Sequence, residues 1–379
     1  MPMPMQYIDE FRDPVHARGL ALRIAELAAR AAAARGRALQ IMEFCGGHTH
    51  TIFRYGIEQM LPPEVELVHG PGCPVCVLPL GRIDDALSIA LRPQVIFTTF
   101  GDAMRVPGAQ GSLLQAKGAG ADVRMVYSPL DALQVARANP GREVVFFALG
   151  FETTMPATAL TVLQADREGL RNFSLLCCHI ATAPTLRAVL DEPGLGLDGF
   201  LAPGHVSMVT GAEPFQFVAR DYRKPIVITG FEPVDVLQSL WMVLRQIDDG
   251  RAEVENQYSR VVDTSGNRAA LQAMAQVFEA GEDAHWRGLG AIGGSGFRLR
   301  GRFAAYDAEA RFPVPAATRE EPPGCQCGEV LRGMLQPQNC RMFGKGCDPA
   351  NPLGALMVSS EGACAAYYNY RHRQTEPAR

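Results

Sequence analysis

Short, uninterrupted apolar runs recur along this chain, and each one stops at a small group of glycine, proline or polar residues. The runs are rich in β-branched and aromatic residues and do not alternate apolar with polar positions, which is typical of strands buried on both faces. Seven such runs predict strands at residues 39–44, 65–68, 95–100, 144–149, 173–178, 199–201 and 226–229.

Longer segments with helical character precede or separate some of these runs. They cover residues 15–35, 129–139 and 233–247. Alternation of buried strands with helices predicts an α/β protein with parallel sheets. In such sheets the loops that follow the carboxyl ends of the strands carry the chemistry, and each glycine-containing motif considered up to residue 233 lies at such an end.

Three of the strand–loop units resemble one another: VIFTTFGDAMRVP, VVFFALGFETTMP and PIVITGFEPVDVL. This likeness is compatible with two similar α/β lobes. Past residue 290, glycine and proline become dense, apolar runs shorten and cysteines cluster, so a small domain held by a cofactor is expected there. We therefore predict two α/β lobes at residues 1–118 and 119–245, which can interleave, and a helical or irregular domain at residues 246–379.

Composition narrows the class of protein. Hydrophobic residues make up 47% of the 379 residues, so every domain can bury a core. A net charge of −4 argues against a general binder of nucleic acid or membrane surfaces. The Ala-rich segment near the start is interrupted by Arg23, Glu26 and Arg30, which predicts an amphipathic helix and not a signal peptide. We expect a cytoplasmic protein that binds neither nucleic acid nor membranes.

The ten cysteines carry the candidate chemistry. In a large protein of a reducing compartment, cysteines are more often metal-binding or redox-active than part of a disulphide framework. They form an early group, a central pair and a late group: Cys45, Cys73 and Cys76; Cys177 and Cys178; and Cys325, Cys327, Cys340, Cys347 and Cys364. The central pair lies inside an apolar run, where core packing is expected.

The early cysteines stand among glycines and prolines. Cys45 opens the motif CGGHTH, where two glycines allow backbone N–H groups to approach a bound group closely. In GPGCPVC, the spacing of Cys73 and Cys76 lets both sulphurs reach one metal, but it equally suits a dithiol redox pair. A structural zinc would need a further ligand, such as Cys45 with His48 or His69.

The late cysteines include Cys325, Cys340, Cys347 and Cys364, which supply four thiolates within forty residues of glycine-rich chain. Four thiolates suit either tetrahedral zinc or a 4Fe-4S cluster. Zinc sites usually use two short C-x-x-C knuckles, so the wide and uneven gaps favour the cluster. Cys327 is a fifth cysteine, which can replace Cys325 as a ligand or act as a redox thiol beside the cluster.

Taken together, these motifs resemble the HypD family of hydrogenase maturation proteins, and the match runs over nearly the whole chain. Its motifs are FRDP, CGGHTH, HGPGCPVC, TFGDAMRVPG, ALGFETT, PGHVS, GFEP, CQCGEVLRG and MVSSEGACAAYYNY. The resemblance implies three domains, with two α/β lobes facing across a cleft and a third domain that carries a 4Fe-4S cluster.

The same resemblance implies what the early residues do. Together with a small HypC-type chaperone, such proteins hold an iron atom while it receives two cyanides and one carbon monoxide, and the residues that match its site are Cys45, Cys73 and Cys76. Cyanide comes from a HypE-type donor, with HypF upstream. His48 and Thr49 belong to the same motif and are candidates for proton handling. The cluster and nearby thiols would supply or relay electrons.

One position departs from the family pattern. Leu356 occupies a place where a cysteine is common, and by similarity Cys327 would pair with that cysteine in a disulphide beside the cluster. Leucine cannot form this bond. Cys327 is then a free thiol, an alternative ligand, or a site for a mixed disulphide with a partner.

Two other functions fit the same residues. One is a thiol–disulphide oxidoreductase of the ferredoxin–thioredoxin-reductase type that uses the C-x-x-C cysteines. The other is an interaction module stabilised by zinc. The carboxylates Asp102, Glu152, Glu232 and Glu361 either act as acids or bases or organise their loops as hydrogen-bond acceptors.

Overall fold

The computed structural model describes residues 8–192, 194–314 and 322–372. Its strands are β1 Leu39–Glu43, β2 Val65–His69, β3 Val95–Thr99, β4 Val123–Met125, β5 Glu143–Gly150, β6 Phe173–His179, β7 Leu197–Pro203, β8 Ile226–Thr229, β9 Val254–Asn256, β10 Phe278–Trp286 and β11 Gly290–Leu299. Its α-helices are α1 Pro14–Arg35, α2 Gly46–Arg54, α3 Pro74–Val77, α4 Leu80–Ala90, α5 Leu113–Gly118, α6 Pro129–Ala138, α7 Met155–Glu168, α8 Thr182–Leu190, α9 Gly204–Thr210, α10 Gln216–Tyr222, α11 Pro233–Asp248, α12 Arg268–Val277, α13 Ala308–Arg311, α14 Cys327–Leu331 and α15 Ala363–Tyr367. Short 3-10 helices connect several of them.

Most strands form two parallel sheets. The first sheet has the order β2-β1-β7-β8-β9 and the second the order β4-β3-β5-β6, and every neighbouring pair in both sheets is parallel. Strands β10 and β11 form an antiparallel hairpin. The predicted parallel-sheet α/β architecture is confirmed.

The seven predicted strands correspond to β1, β2, β3, β5, β6, β7 and β8. The prediction missed β4 and β9, which have only three residues each. It also missed the β10–β11 hairpin, which lies in the segment predicted to be helical or irregular. The sequence of β11, GAIGGSGFRL, contains four glycines and therefore lacks the apolar pattern by which a strand is recognised.

The two sheets interleave along the chain. Strand β3 precedes residue 118, yet it pairs with β4 and β5, which follow it. Strands β1 and β2 come from the first part of the chain, whereas β7, β8 and β9 of the same sheet begin only at Leu197. A division at residue 118 thus passes through the second sheet, and the arrangement as lobes and a separate C-terminal domain stays a prediction.

Helix α1 shows how local sequence defines an element. Its N-cap Asp13 accepts hydrogen bonds from the backbone N–H groups of Val15 (2.7 Å) and His16 (3.0 Å), and Gly36 ends it with a φ of 69°. The apolar face of α1 packs on α11 and the first sheet. Within the described ranges, no helix combines the length and apolar character needed to cross a membrane.

The inner faces of the two sheets share one apolar core. Met42 and Phe200 of the first sheet and Phe97 and Phe147 of the second belong to it, and all four are fully buried. Burial of each such side chain stabilises the fold by roughly 1.5–3 kcal/mol. The shared core fixes the carboxyl ends of strands from both sheets relative to each other.

Strand order also marks the positions where ligands bind in such sheets. The order reverses between β1 and β7 in the first sheet and between β3 and β5 in the second, and binding sites of open α/β sheets lie at such switch points. Cys45 follows β1 and His205 follows β7, while Asp102 follows β3 and Glu152 follows β5.

Candidate functional site

Cys45 lies where β1 turns into α2. It is the N-cap residue, with an extended backbone, and its side chain is buried. A Cβ on Gly46 would lie 2.5 Å from the Cβ of Glu361, and one on Gly47 would lie 2.7 Å from the ring of Phe231. Only glycine permits these close approaches. The two glycines therefore let two distant segments reach the backbone beside the Cys45 thiol.

Gly72 brings the C-x-x-C segment next to Cys45. A Cβ on Gly72 would overlap the backbone at the N–H of Cys45, and the Gly46 N–H donates to the Gly72 carbonyl over 3.1 Å. Cys73 and Cys76 follow directly, are buried, and form a disulphide. The structure thus places the three early cysteines in adjoining segments, but the disulphide must be reduced before Cys73 and Cys76 can act as thiolate ligands.

Glu43, a fully buried carboxylate in β1, connects these segments. One of its oxygens accepts the N–H of Cys45 over 2.9 Å, and the other accepts from Nδ1 of His69 over 2.7 Å and from the hydroxyl of Thr49. On the far side of His69, Nε2 lies 3.7 Å from a carboxylate oxygen of Glu58. Since a buried carboxylate is costly unless it is hydrogen-bonded, Glu43 holds the Cys45 turn, α2 and β2 together.

The imidazole of His69 makes stability depend on pH. Burial alone would lower its pKa, but the hydrogen bond to Glu43 and the nearby carboxylates of Glu43 and Glu58 raise the pKa to about 9 from an ordinary 6.5. The resulting stabilisation, on the order of 3 kcal/mol, is complete below about pH 6.5 and is lost as the pH rises towards 9. We expect this loss in denaturant unfolding of the wild type over that pH range.

Replacement of His69 by glutamine tests the assignment. His69→Gln should be less stable than the wild type at pH 6, and the difference should shrink by pH 9.5. His16→Gln is the matched control, because His16 is exposed on α1 and contacts neither carboxylate. Identical pH profiles for His69→Gln and the wild type would contradict the charged state of His69.

His48 is held as a neutral ring. Its Nε2 lies 3.0 Å from the carbonyl of Thr229, and because a carbonyl only accepts, this nitrogen carries the proton. Burial lowers the pKa of His48, and Nδ1 has no hydrogen-bond partner among the described residues. The ring of Phe231 stacks on both His48 and His205, with centroid distances of 4.8 and 3.7 Å. The neutral ring of His48 therefore offers Nδ1 as a hydrogen-bond acceptor, whereas the hydroxyl of Thr49 is engaged by Glu43.

Two of the four candidate carboxylates organise loops. Glu152 accepts from both the backbone N–H (2.9 Å) and the hydroxyl (2.7 Å) of Thr182 at the start of α8. Glu232 is the N-cap residue of α11 and forms an ion pair with Arg12. Both carboxylates are occupied by contacts that position backbone.

Of the other two carboxylates, Glu361 lies beside the Cys45 turn and Asp102 lies near Glu361. Asp102 accepts from the hydroxyl of Ser359 over 2.8 Å. Burial raises the pKa of Glu361, and the charges of Asp102 and Glu43 raise it further. Burial likewise raises the pKa of the Cys45 thiol, followed by the charges of Glu361 and Glu43. Burial and these carboxylates together keep the thiol protonated, and a metal cation bound here would offset the cost of ionising it.

The late cysteines converge on one small apolar cavity. Its lining includes Cys325, Cys327, Cys340, Cys347 and Cys364, together with Met342, Phe343, Leu353 and Met357. Burial raises the pKa of Cys364, and so do the thiolates of Cys347, Cys340 and Cys325. The backbone N–H of Leu353 donates to the Cys347 sulphur over 3.3 Å. Four clustered thiols without a compensating cation are an arrangement that a metal group would stabilise.

The type of metal group can be tested against this geometry. Within the described residues, no group of three or more His, Cys, Asp or Glu side chains is arranged to hold one metal ion. A cluster spreads its thiolate ligands more widely than a single zinc ion does, since each sulphur binds a different iron. The residues present, four cysteines around a shared cavity, match the ligand set of a 4Fe-4S cluster, and zinc stays the alternative.

Cys327 stands beside Cys325 in this cavity, with 3.1 Å between the two sulphurs. A Cβ on Gly354 would lie 2.5 Å from each of them, so both thiols point to the same place. The backbone of Leu356 hydrogen-bonds to the Cys327 sulphur, which places this leucine directly next to it. Cys327 is a free thiol in this structure, and Leu356 fills the neighbouring position with an apolar side chain.

The central pair of cysteines lies outside both groups. The Cys178 sulphur accepts from Nε of Arg82 over 3.2 Å, and Cys177 donates to the carbonyl of Phe297 over 3.4 Å. Cys178 is buried as expected for core packing, whereas Cys177 is only partly buried.

Sequence reasoning missed Glu43 and Glu58, which complete the contacts of His69. A signal for Glu43 was present, because it is the one charged residue in the apolar run LQIME that leads to Cys45. A carboxylate in a strand buried on both faces needs a specific partner. Glu58 lies in a short 3-10 helix with no comparable signal.

Comparison with known proteins is consistent with these motifs. The HypD family model, described as "Hydrogenase formation hypA family", matches residues 17–371. The chain is 59% identical over 370 residues to the hydrogenase maturation factor HypD of Rhodobacter capsulatus, covering 97% of this chain and 98% of the relative. It is 54% identical over 373 residues to HypD of Escherichia coli K12, covering 98% and 100%.

Proposed function

Since the chain belongs to the HypD family of hydrogenase maturation factors, we propose that it assembles the Fe(CN)2CO unit of nickel–iron hydrogenase on an iron atom bound at Cys45. The observation that carries this proposal is the site around the Cys45 thiol. It is buried beside a C-x-x-C pair and under the charges of Glu43 and Glu361. An iron cation would offset that charge and favour the thiolate, a soft ligand suited to iron that carries cyanide and carbon monoxide.

Cys73 and Cys76 can act in two ways, but not both at the same time. As two thiolates they can join Cys45 in holding iron. As a dithiol they lose two electrons and two protons when their disulphide forms, and this structure contains that disulphide. Release of one cyanide from a thiocyanate group takes up two electrons and leaves a thiolate and cyanide. One dithiol oxidation therefore balances one cyanide transfer, and Cys45 remains the lasting ligand.

We propose that Cys325, Cys340, Cys347 and Cys364 hold a 4Fe-4S cluster, with Cys327 as an adjacent redox thiol. When bound, a cluster supplies single electrons, which support renewed reduction of a disulphide. The chain's own contribution is to bury the four thiols around one cavity and to direct a backbone N–H at Cys347.

We further propose that a HypC-type chaperone supplies ligands at the Cys45 site, and that a HypE-type donor, with HypF upstream, delivers cyanide there. A cytoplasmic location fits this work, because the disulphide that the structure contains joins the two cysteines of a C-x-x-C pair. Disulphides of cytosolic proteins are usually catalytic or redox-sensing, which matches a C-x-x-C pair.

A second candidate function is a thiol–disulphide oxidoreductase of the ferredoxin–thioredoxin-reductase type. The Cys73–Cys76 disulphide is the observation that favours it. The two functions differ in their need for Cys45, because disulphide exchange requires only the C-x-x-C pair. Retention of disulphide reductase activity in Cys45→Ala, without any iron–cyanide product from the wild type, would favour the oxidoreductase.

Metal analysis of protein purified without oxygen tests the main proposal. We expect iron and acid-labile sulphide in equal amounts from the cluster, and additional iron when a HypC-type partner is co-purified. Infrared bands of bound cyanide and carbon monoxide should accompany that additional iron. A protein loaded with zinc and free of sulphide would instead support the zinc-stabilised interaction module.

A further inference from the structure

The β10–β11 hairpin lies between the two groups of cysteines. Strand β10 ends at Trp286 and β11 begins at Gly290, so three residues, Arg287, Gly288 and Leu289, form the turn. The strand ends next to the turn are fixed, because the indole N–H of Trp286 donates to the hydroxyl of Ser295 over 2.9 Å. Both Trp286 and Ser295 are buried.

On one side, the turn holds the C-x-x-C helix. The backbone N–H of Arg287 donates to the carbonyl of Val77 over 2.7 Å, and its Nε donates to the carbonyl of Leu78 over 2.8 Å. These carbonyls follow Cys76 at the end of α3, where helix carbonyls lack intrahelical partners. The side chain of Arg287 is almost completely buried, so its donors hold the backbone that follows Cys76 in a fixed position.

On the other side, the turn touches the late cysteines. Gly288 has a φ of 71°, and a Cβ on it would overlap the Cα of Gly328. Conversely, a Cβ on Gly328 would lie 2.8 Å from the Cα of Gly288. Gly328 directly follows Cys327 in α14. The two backbones are therefore in direct contact at a place where neither residue can carry a side chain without displacing the other.

We propose that this turn is a positioning element, in which Arg287 fixes the Cys73–Cys76 segment and Gly288 fixes the Cys327 segment, so that one rigid hairpin determines where both thiol groups lie. The inference deepens the proposed function and rests on it for its biological purpose. Its physical content, a rigid backbone link between two thiol segments, concerns only residues of this chain.

Two alanine substitutions in the hairpin separate this link from simple backbone strain. Gly290 has a φ of 77°, close to that of Gly288, but a Cβ on it would meet nothing within 4 Å. Gly288→Ala and Gly290→Ala thus carry similar left-handed strain, and only the first pushes on Gly328. In the full-length protein as purified, Gly288→Ala should raise the rate of Cys327 alkylation by iodoacetamide about tenfold through local opening, measured by peptide mass spectrometry. Gly290→Ala should leave this rate unchanged.

Substitution of Arg287 tests the other side of the turn and applies even if Gly288→Ala does not fold. The Nε of Arg287 holds the carbonyl of Leu78, so loss of this donor should loosen the backbone on which closure of the Cys73–Cys76 disulphide depends. In Arg287→Met, the equilibrium of Cys73–Cys76 with dithiothreitol should therefore shift about tenfold towards the dithiol. Arg287→Lys, which keeps one donor, should restore most of the wild-type value.

The outcomes distinguish this inference from the proposed function. Equal Cys327 alkylation in Gly288→Ala and Gly290→Ala, or an unchanged dithiothreitol equilibrium in Arg287→Met, would overturn the positioning role even in a protein that contains iron and sulphide. Shifts in both measurements in a protein that binds no iron would leave the positioning role standing and refute the maturation proposal instead.

Discussion

Replacing Cys45 by alanine is expected to abolish the infrared bands of iron-bound cyanide and carbon monoxide in protein co-purified with a HypC-type partner. Cys45 is the only early cysteine that is free in this structure, while Cys73 and Cys76 are joined. Loss of a residue that binds iron directly should lower the affinity for iron by more than the roughly 10–100-fold that follows from loss of a residue hydrogen-bonded to a ligand. Hydrogenase activity of cells that depend on this chain should fall to background.

The matched control is Cys177→Ala, which removes a thiol from a strand outside both groups of cysteines. It should retain the infrared bands and hydrogenase maturation. The cluster of Cys45→Ala should also be retained, since the late cysteines line a separate cavity. Persistence of cyanide and carbon monoxide bands in Cys45→Ala would show that iron is held elsewhere and would refute the assignment of this site.

Replacing Cys364 by alanine is expected to eliminate the proposed 4Fe-4S cluster, so that the brown colour, iron and sulphide expected of the wild type are lost. Cys364 is buried in α15, and the other cysteines of the cavity lie on different segments. No neighbouring thiol duplicates its position. Because metal binding supplies folding free energy, residues 322–372 should also become more sensitive to proteolysis.

Cys327→Ala is the control for this second prediction. It removes a thiol from the same cavity, but Cys325 remains 3.1 Å from the place that its sulphur occupied. Four cysteines are then still present, so iron and sulphide content should stay near that of the wild type. Loss of the cluster in Cys327→Ala together with its retention in Cys325→Ala would identify Cys327 as the ligand in its place.

The role of Leu356 follows from the same geometry. Its backbone contacts the Cys327 sulphur, so a cysteine at this position would lie beside Cys327. The disulphide that the family resemblance implies would therefore be within reach of Cys327, but leucine has no sulphur with which to form it. In this chain, the thiol that the structure places beside Cys327 is that of Cys325.

The sequence by itself determined the seven principal strands, the helices at 15–35, 129–139 and 233–247, and the position of each reactive motif at a strand end. These features depend on local patterns: a continuous apolar run buries a strand on both faces, and glycine or proline ends it. The spacing of the cysteines also identified the two groups of thiols. Cysteines that cluster among glycines are more often metal-binding or redox-active than part of a disulphide framework.

Only the tertiary structure decided what surrounds those thiols. It brought Glu361 to Gly46, directed the Glu43 carboxylate to Cys45 and His69, joined Cys73 to Cys76, and inserted the β10–β11 turn between the two thiol groups. Such contacts join residues that are far apart in sequence, so no local pattern encodes them. The charges on the buried groups depend in turn on these contacts, because burial and neighbouring charges together shift a pKa.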